Sequence, residues 1–335
     1  MEKYLHKCLD SLVFENEDLL KSVEVLVIND GSKDSSSAIA HEYENRYPNT
    51  FRVIDKENGN YGSCINRGLL EAKGKYVKVL DADDSFETDK FSQYVSALEG
   101  LDVDLIVTDF RLVYEDGNVC QEFHFSYPHK QVLDFIDYNK REDSFRLLMH
   151  GVTYRRQIFV DLNYRQTEGV SYTDQQWIFL PFEKVDKFYY LPVMLYNYLT
   201  GREGQTMASD VFIKSMPQLM KVNIDRVKMY ENYHLYDSRY EWLFTEKLCR
   251  AMQSMYRTVL IMDDSQIEKL IAFDKEVESV SPRFFKKMED IHLIGKLPIR
   301  FIAGWRLRKR TVLSPLKKAC YKKTESLYLW LKNRV

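Results

Sequence analysis

Four short apolar runs, separated by segments with helical spacing, constrain the fold of this chain most strongly. The runs are Val23–Ile28, Phe51–Ile54, Tyr76–Leu80 and Leu105–Thr108. The first leads into Asn29-Asp30-Gly31-Ser32, and the third leads into Asp81-Ala82-Asp83-Asp84. Buried strands that alternate with helices predict a mostly parallel sheet with helices on both faces, so we expect an α/β fold.

The helical segments and a change of pattern predict the domain organisation. Helices are expected over Leu5–Leu20, Phe86–Leu98 and Gln175–Glu183, and Asp116-Gly117 predicts a β-hairpin. From about residue 209 onward the pattern is almost wholly helical. We therefore predict an α/β domain at 1–205 and a helical C-terminal extension at 206–335.

The cysteines and the motifs that are missing exclude several classes of protein. The five cysteines are odd in number and form no CxxC pair, which favours a reducing cytoplasm over a disulfide framework or a zinc site. The sequence contains no apolar run of 18 residues and no recognisable signal peptide. It also lacks GxGxxG after the first strand and GxxxxGK[ST], which disfavours dinucleotide and P-loop chemistry.

Charge is distributed unevenly along the chain. The formal net charge is -2, yet residues 296–335 contain 12 Lys or Arg and a single Glu. Aromatic and aliphatic residues interleave with these cations, as in an amphipathic helix that lies on an anionic membrane. The alternative is a solvated helical face packed on the rest of the protein. A nucleic-acid partner is not expected, because no recognition motif accompanies the charge.

Carboxylates follow two of the four runs, at Asp30 and at Asp81–Asp84. Ligands of open α/β sheets bind beyond the carboxyl ends of the strands, so we expect these side chains to face one crevice and to share a divalent cation. Oxygen ligands with few histidines nearby favour Mg²⁺ or Mn²⁺ over Zn²⁺. Helix capping is the alternative role, above all for Asp84 or Ser85 ahead of the helix predicted at Phe86.

Three segments in this order resemble the family 2 glycosyltransferases, which have the Rossmann-like GT-A fold. They are Val25–Ser32, then Asn58-Gly59-Asn60-Tyr61-Gly62 with Asn66 and Gly68 following, then Tyr76–Asp84. The resemblance covers about residues 1–205 and implies that this domain binds a nucleotide sugar and carries the catalytic site. The helical remainder carries no assignable motif.

The resemblance implies a set of donor-side residues. Asp30 would hydrogen-bond the base or ribose, and Asp81 with Asp83 would form the DxD motif. In that motif the first aspartate contacts the ribose or the metal, and the second holds the metal, Mn²⁺ or Mg²⁺, against the donor diphosphate. The remaining residues would line the nucleotide pocket or lie near the phosphates: Gly59, Asn60, Gly62, Asn66 and, within Arg202-Glu203-Gly204-Gln205, Arg202.

The resemblance also implies residues for the acceptor side. Asp174 corresponds to the family's catalytic base, although Thr173 precedes it where the commoner spelling is Glu-Asp. The alternative role for Asp174 is the N-cap of the helix predicted at Gln175–Glu183. Residues expected to contact the acceptor are His150, Thr153 and Tyr154.

The beginning of the chain departs from the family pattern. Members usually carry a buried strand ahead of the helix that begins here at Glu2. Either the true start lies upstream of this sequence, or the strand is missing and leaves unpaired backbone groups beside Val23–Ile28. A single catalytic base implies that the sugar is transferred in one displacement that inverts its anomeric configuration. The donor would be a nucleotide diphosphate sugar, with UDP as the default nucleotide, and the acceptor a hydroxyl of a surface glycan or lipid-linked molecule. Two alternatives stay open, a nucleotidyltransferase and a non-catalytic sugar-binding or scaffold protein.

Overall fold

The structure is a computed structural model that describes residues 1–139, 147–202, 209–232, 238–294 and 299–332. The chain forms two compact units, Met1–Gln205 and Thr206–Val335. The first unit is built from strands and helices, and the second is helical in its described residues. The two units are described in turn below.

The N-terminal unit alternates strands with helices over its first hundred residues. Its helices are α1 (Glu2–Asp10), α2 (Glu17–Leu20), α3 (Ser36–Arg46), α4 (Asn60–Glu71), α5 (Thr88–Leu98), α6 (Phe135–Asn139), α7 (Gln157–Asp161) and α8 (Asp174–Trp177). Its strands are β1 (Val25–Asn29), β2 (Phe51–Asp55), β3 (Tyr76–Val77), β4 (Ser85–Phe86), β5 (Leu105–Val113), β6 (Val119–Phe123), β7 (Val132–Asp134), β8 (Val152–Arg155) and β9 (Lys187–Leu199). The α/β fold class is thus confirmed.

The strands form two sheets. β1 and β2 pair with each other, and the larger sheet has the order β3-β8-β5-β9-β4, with β6 on β5 and β7 on β9. Strand direction differs from the predicted mostly parallel sheet. Among the described strands, β1–β2 and β5–β9 are parallel, and the other five pairs are antiparallel. One of these five pairs, β5–β6, is the predicted hairpin, whose tight connection makes its strands antiparallel. The other four pair strands from distant parts of the sequence, whose direction a local pattern does not determine.

The edge of β1 that faces away from β2 has no strand partner among the described residues. Every residue of β1 is half-buried rather than buried, and so are residues 76–83. β3 is correspondingly reduced to Tyr76–Val77, although the sequence predicts a strand up to Leu80.

Three helix predictions need correction. The helix expected over Leu5–Leu20 is divided into α1 and α2, and the side chain of Asn16 caps α2 by accepting from the Leu19 backbone N–H at 3.1 Å. The helix expected from Phe86 begins at Thr88, because the two preceding residues form β4. The helix expected over Gln175–Glu183 is α8 followed by a 3₁₀ segment, Leu180–Lys184, in which a proline removes a backbone donor.

The C-terminal unit packs helices around a buried core. The helices are α9 (Ser209–Lys214), α10 (Met216–Asn232), α11 (Ser238–Arg257), α12 (Ile267–Val280), α13 (Pro282–Lys287), α14 (Phe301–Arg306) and α15 (Pro315–Lys332). No helix in the described ranges combines the length and the apolar character needed to cross a bilayer.

Part of the basic tail belongs to this core. Phe301, Ile302 and Trp305 of α14 are at most 2% exposed, so they pack inside the protein and cannot enter a membrane. Arg306 is also buried, where it donates to the carboxylate of Asp274 at 2.7 Å. The predicted membrane surface over 296–335 is therefore wrong for α14, because tertiary packing uses these residues.

Candidate active site

The first turn of α4 contacts both of the predicted acidic positions. Asn60 begins the helix with a φ of +65°, which turns the chain sharply after the preceding loop. The backbone N–H of Gly59 donates to Asp30 Oδ1 at 2.9 Å, and the hydroxyl of Tyr61 donates to Asp81 Oδ1 at 3.0 Å. Asp30 and Asp81, which follow separate strands, therefore lie against the same helix terminus.

A lysine that the sequence analysis overlooked neutralises Asp30. Lys56 Nζ forms an ion pair with Asp30 Oδ1 and donates to Ser63 Oγ at 2.8 Å. Burial by itself would raise the pKa of Asp30, but the hydrogen bonds from Lys56 and from Gly59 outweigh it and lower the pKa. Asp30 is therefore ionised. Lys56 directly follows β2. The expectation that ligands bind beyond the carboxyl ends of the strands, which pointed to Asp30, therefore points to Lys56 as well.

Like charges surround Asp81. Burial raises the pKa of its carboxyl, and the negative charges of Asp83 and Asp174 raise it further. The hydroxyl of Tyr61 counteracts this by donating to the carboxylate. The structure thus brings Asp81, Asp83 and Asp174 close enough for their charges to interact.

Asp83 is held by the predicted phosphate-binding arginine. Arg202 Nε donates to Asp83 Oδ2 at 2.6 Å, and both side chains are largely shielded from solvent. The guanidinium also lies 5.8 Å from the ring centroid of Tyr4 in α1. Arg202 therefore lies at the acidic cluster. The rest of the predicted loop, residues 203–205, lies outside the described residues.

Asp84 has a structural role instead of the predicted helix cap. Its carboxylate is 2% exposed and accepts from the hydroxyl of Tyr196 at 2.6 Å and from the backbone N–H of Leu199 at 2.7 Å. These bonds fasten the segment after Asp81 to β9. Ser85 lies in β4, so neither residue caps α5, whose first residue is Thr88.

Asp174 is the first residue of α8, where it is half-buried. The N-cap position belongs to Thr173, which makes no side-chain capping bond, so the alternative that Asp174 is the N-cap is wrong. The negative charge of Asp174 raises the pKa of Asp81 and of Tyr61. Its carboxylate accordingly lies near the cluster around Asp81.

Two predicted pocket residues are used instead for internal packing. Asn66 donates its side-chain amide to the Gln166 carbonyl at 2.9 Å and to Glu168 Oε1 at 2.7 Å, and it accepts from the Gln166 backbone N–H at 2.8 Å. At Gly62 an added Cβ would lie 2.0 Å from the Thr167 oxygen. The segment around 166–168 therefore covers this face of α4, and these residues position the helix.

Two of the three predicted acceptor residues point into the core. Thr153 is 1% exposed and shares a hydrogen bond of 2.7 Å with the Tyr94 hydroxyl. Tyr154 is fully buried and donates to the Trp177 carbonyl at 3.1 Å. Contact with an acceptor is therefore wrong for both, because β8 is an interior strand between β3 and β5.

His150 lies nearer the site than the other two. Its ring, whose Nδ1 is buried, packs 4.9 Å from the centroid of Tyr196, and the Tyr196 hydroxyl accepts from the Asp81 backbone N–H at 3.2 Å. Burial, and secondarily the charge of Lys78, lowers the pKa of His150 to about 3. The imidazole is therefore neutral at physiological pH, which suits contact with a hydroxyl but not proton transfer. Lys78 Nζ donates to the His150 carbonyl at 2.7 Å.

The acidic cluster has the chemistry of a site for a hard divalent cation. Within the described ranges no group of three or more His, Cys, Asp or Glu side chains is arranged to hold a metal alone. Asp81 and Asp83 offer two carboxylates, and Mg²⁺ or Mn²⁺ is commonly bound by one or two carboxylates together with substrate phosphates. The mutual repulsion that raises the pKa of Asp81 is a repulsion that a cation would relieve. These residues therefore fit such an ion.

A cavity of about 600 Å³ lies elsewhere in the N-terminal unit. It is lined by residues of α1, β4, β5 and their neighbours, among them Lys7, Asp10, Glu87, Arg111 and Asn197. None of the predicted site residues lines it. The candidate site is therefore identified from the chemistry of its side chains, because it does not coincide with this cavity.

Comparison with known proteins shows which fold the chain shares and which family its N-terminal residues resemble. The fold is that of the GT-A enzyme S. aureus TarS, whose residues 1–349 align with a TM-score of 0.63 and 17% identity over 98% of this chain and 88% of that one. The predicted GT-A fold is thereby confirmed. Residues 1–162 match the family model described as glycosyl transferase family 2. Over these residues the chain is similar to that family, in agreement with the sequence motifs.

Curated relatives match over shorter stretches. The putative glycosyltransferase EpsH of Bacillus subtilis is 35% identical over 115 residues, which are 34% of this chain and 32% of that protein. The glycosyltransferase GlyA of Streptococcus pneumoniae is 30% identical over 210 residues, which are 59% of this chain and 29% of that protein. The chain thus spans about a third of the length of the curated relatives that it matches.

Proposed function

We propose that the chain is an inverting hexosyltransferase that moves a sugar from a nucleotide diphosphate sugar to a hydroxyl of a surface-glycan or lipid-linked acceptor. The observation that carries the proposal is the meeting of Asp81, Asp83 and Asp174 beside the first turn of α4, within a family 2 domain. TarS, whose fold the chain shares, has been solved with UDP-GlcNAc. UDP-sugars are therefore the first donors to test.

On the donor side, Asp81 and Asp83 would hold Mn²⁺ or Mg²⁺. When bound, the ion supplies positive charge that stabilises the negative charge developing on the leaving diphosphate. Arg202, which contacts Asp83, would bind the same phosphates through its guanidinium. Asp30 would accept a hydrogen bond from the base or ribose through Oδ2, since its hydrogen bonds from Lys56 and Gly59 reach Oδ1.

On the acceptor side, Asp174 would act as the base. Its carboxylate accepts the proton of the acceptor hydroxyl while that oxygen attacks the anomeric carbon, and the bond from this carbon to the diphosphate oxygen breaks. Attack from the face opposite the leaving group inverts the anomeric configuration. A positioned base of this kind contributes roughly 10²–10⁴-fold to the rate. His150, neutral because of its lowered pKa, would contact the acceptor.

The proposal also includes the cellular location of the enzyme. The five cysteines are free thiols in the structure, in keeping with a reducing cytoplasm. At the inner face of the cell membrane, a peripheral contact through part of 296–335 would bring the enzyme to a lipid-linked acceptor. A nucleic-acid partner is not proposed.

Product analysis separates this function from its two alternatives. We would incubate the chain with a panel of nucleotide sugars and Mn²⁺ and measure release of nucleoside diphosphate. We expect release that disappears in Asp83→Ala and persists in Asp18→Ala, which removes a carboxylate that is 95% exposed. Pyrophosphate release would instead identify a nucleotidyltransferase, and no turnover with any donor would identify a non-catalytic sugar-binding or scaffold protein.

A further inference from the structure

Three large apolar side chains are exposed within ten residues of the C-terminal unit. Leu307 is 85% exposed, Val312 is 53% exposed and Leu316 is 82% exposed. Single exposed apolar residues are normal on a protein surface, but a concentration of them indicates an interaction site. Leu313, between them, is buried and fastens the segment to the unit. We call residues 307–316 the apolar loop.

The apolar loop stands on a rigid base. Arg306 and Arg310, on either side of residues 307–309, both donate to the buried carboxylate of Asp274 at 2.7 Å. The backbone N–H of Arg310 also donates to the Trp305 carbonyl at 3.2 Å. The turn is completed by Lys309 and Arg310, both with positive φ. The backbone turn that carries Leu307 is therefore held in place before any partner arrives, which reduces the entropy lost on binding.

Exposed cations lie close in sequence to the exposed apolar side chains. Arg308, Lys309, Lys322 and Lys323 are exposed, and within the described part of the chain none of the four forms an ion pair. Lys323 lies two turns after Leu316 on α15, so the two share one face of that helix. The helix is fixed to its own unit by Lys318 with Asp264 and by Glu325 with Arg257, each pair at 2.6 Å.

We propose that the apolar loop and the adjoining exposed face of α15 bind a membrane that contains anionic phospholipids. Leu307, Val312 and Leu316 enter the interfacial layer while the neighbouring cations contact the phosphate headgroups. An anionic bilayer presents apolar depth and surface phosphate together, whereas a nucleic acid offers no apolar layer for leucines. The inference rests on the peripheral membrane contact included in the proposed function, for which it names the surface and the lipid. Vesicle binding is measured without donor or metal, so its failure is distinguishable from a failure of sugar transfer.

The test is co-sedimentation of the full chain with vesicles, without donor or metal. We expect binding to vesicles of phosphatidylglycerol and phosphatidylcholine and little binding to phosphatidylcholine alone. Leu307→Ser with Leu316→Ser should weaken binding by about tenfold or more, since each leucine loses its apolar contact. Arg308→Glu with Lys309→Glu should abolish the preference for the anionic vesicles. Leu70→Ser is the matched control, because Leu70 is 80% exposed in the N-terminal unit.

A second readout locates the contact. Cys320 is exposed on α15, so an environment-sensitive fluorophore attached there in a Cys120→Ser background should shift to shorter wavelength with anionic vesicles. Circular dichroism and the Tm of each variant confirm that folding is retained. The proposal would be overturned if the wild-type chain did not bind vesicles, or if both double variants bound them as the wild type does. It would also be overturned if Leu70→Ser weakened binding as much as the double leucine variant. Preferential binding to a single-stranded oligonucleotide over the vesicles would do so as well.

Discussion

A single backbone oxygen determines which residue is accepted at position 62. An added Cβ on Gly62 would lie 2.0 Å from the oxygen of Thr167, which is backbone and cannot rotate away. Asn66, one turn later on α4, binds the same segment through Gln166 and Glu168. The glycine therefore allows α4 to approach this segment closely, and the asparagine fixes their relative position.

Gly62→Ala should accordingly lower the free energy of unfolding by about 1–3 kcal/mol, the usual effect of overpacking. Gly68→Ala is the matched control in the same helix, because its nearest neighbour, Ile28, would be 3.9 Å away. That control should raise stability by roughly 0.5–1 kcal/mol through helix propensity. Urea denaturation measures the free energy of unfolding of both variants. A Gly62→Ala protein as stable as wild type would show that the backbone at Thr167 moves away from the added methyl group without cost.

Asp174→Asn tests the proposed base at nearly constant volume. Because the amide cannot accept the proton, kcat should fall by roughly 10²–10⁴-fold while donor affinity stays near the wild-type value. Steady-state kinetics and equilibrium donor binding separate the two effects. Retained kcat would remove Asp174 from the mechanism, and parallel loss of donor binding would assign it to donor recognition.

At the scale of elements, the β5–β6 hairpin contains a buried carboxylate linked to an exposed histidine. Asp109 in β5 is 4% exposed and accepts from the Tyr190 hydroxyl at 2.8 Å, and it lies 2.9 Å from His124 Nδ1. The other ring nitrogen lies 3.2 Å from Glu122. Hydrogen bonds with Asp109 and then with Glu122 raise the pKa of His124. The protonated imidazole thus ties the end of the hairpin to β5.

This arrangement predicts a pH-dependent contribution to stability. A raised histidine pKa contributes stability that is fully present below the unfolded-state value of about 6.5 and is lost as the pH rises through the folded-state pKa. The Tm of wild type should therefore exceed that of His124→Gln by more at about pH 6 than at about pH 9. A difference that does not change with pH would contradict this role for the protonated ring.

The apolar runs predicted where strands lie but not their lengths or directions. β5 continues from Leu105 to Val113, so it joins the apolar run predicted as a strand to the first arm of the predicted hairpin. Arg111 is accepted there because its guanidinium reaches Glu87 and its Nε donates to Asn197 at 2.7 Å. Such partners come from distant parts of the sequence, so a local pattern cannot contain them.

The candidate site was predictable in its acidic residues and less so in their surroundings. Aspartates at strand ends are visible in sequence, and the structure brings Asp81, Asp83 and Asp174 together. The donors to Asp30 and Asp81 required the fold, since Lys56 reaches Asp30 and Tyr61 reaches Asp81 from another segment of the chain. Which site residues act in catalysis stays a prediction.

At the scale of the whole molecule, the uneven charge serves two purposes. The basic tail suggested one membrane-binding surface, but the structure divides it. Arg306 and Arg310 bind Asp274 inside the C-terminal unit, whereas Arg308 and Lys309 face solvent. Burial depends on tertiary packing, so composition alone could not distinguish the two pairs.

Asp274→Ala should therefore destabilise the C-terminal unit by about 3–5 kcal/mol, because it leaves Arg306 buried without its counter-ion. Glu278→Ala is the control, since Glu278 is 53% exposed and its pair with Arg310 should contribute at most about 1 kcal/mol. Thermal unfolding compares the variants. Equal Tm values for the two would mean that the buried network adds little.

The central claim is that Asp81 and Asp83 use a divalent cation to bind the diphosphate of the donor, and calorimetric titration with UDP tests it most directly. Wild type should bind UDP at least about tenfold more tightly with Mn²⁺ than with EDTA, a difference of about 1.4 kcal/mol. Asp83→Ala should bind weakly in both conditions. Equal UDP affinity with and without Mn²⁺ in the wild-type protein would contradict the account.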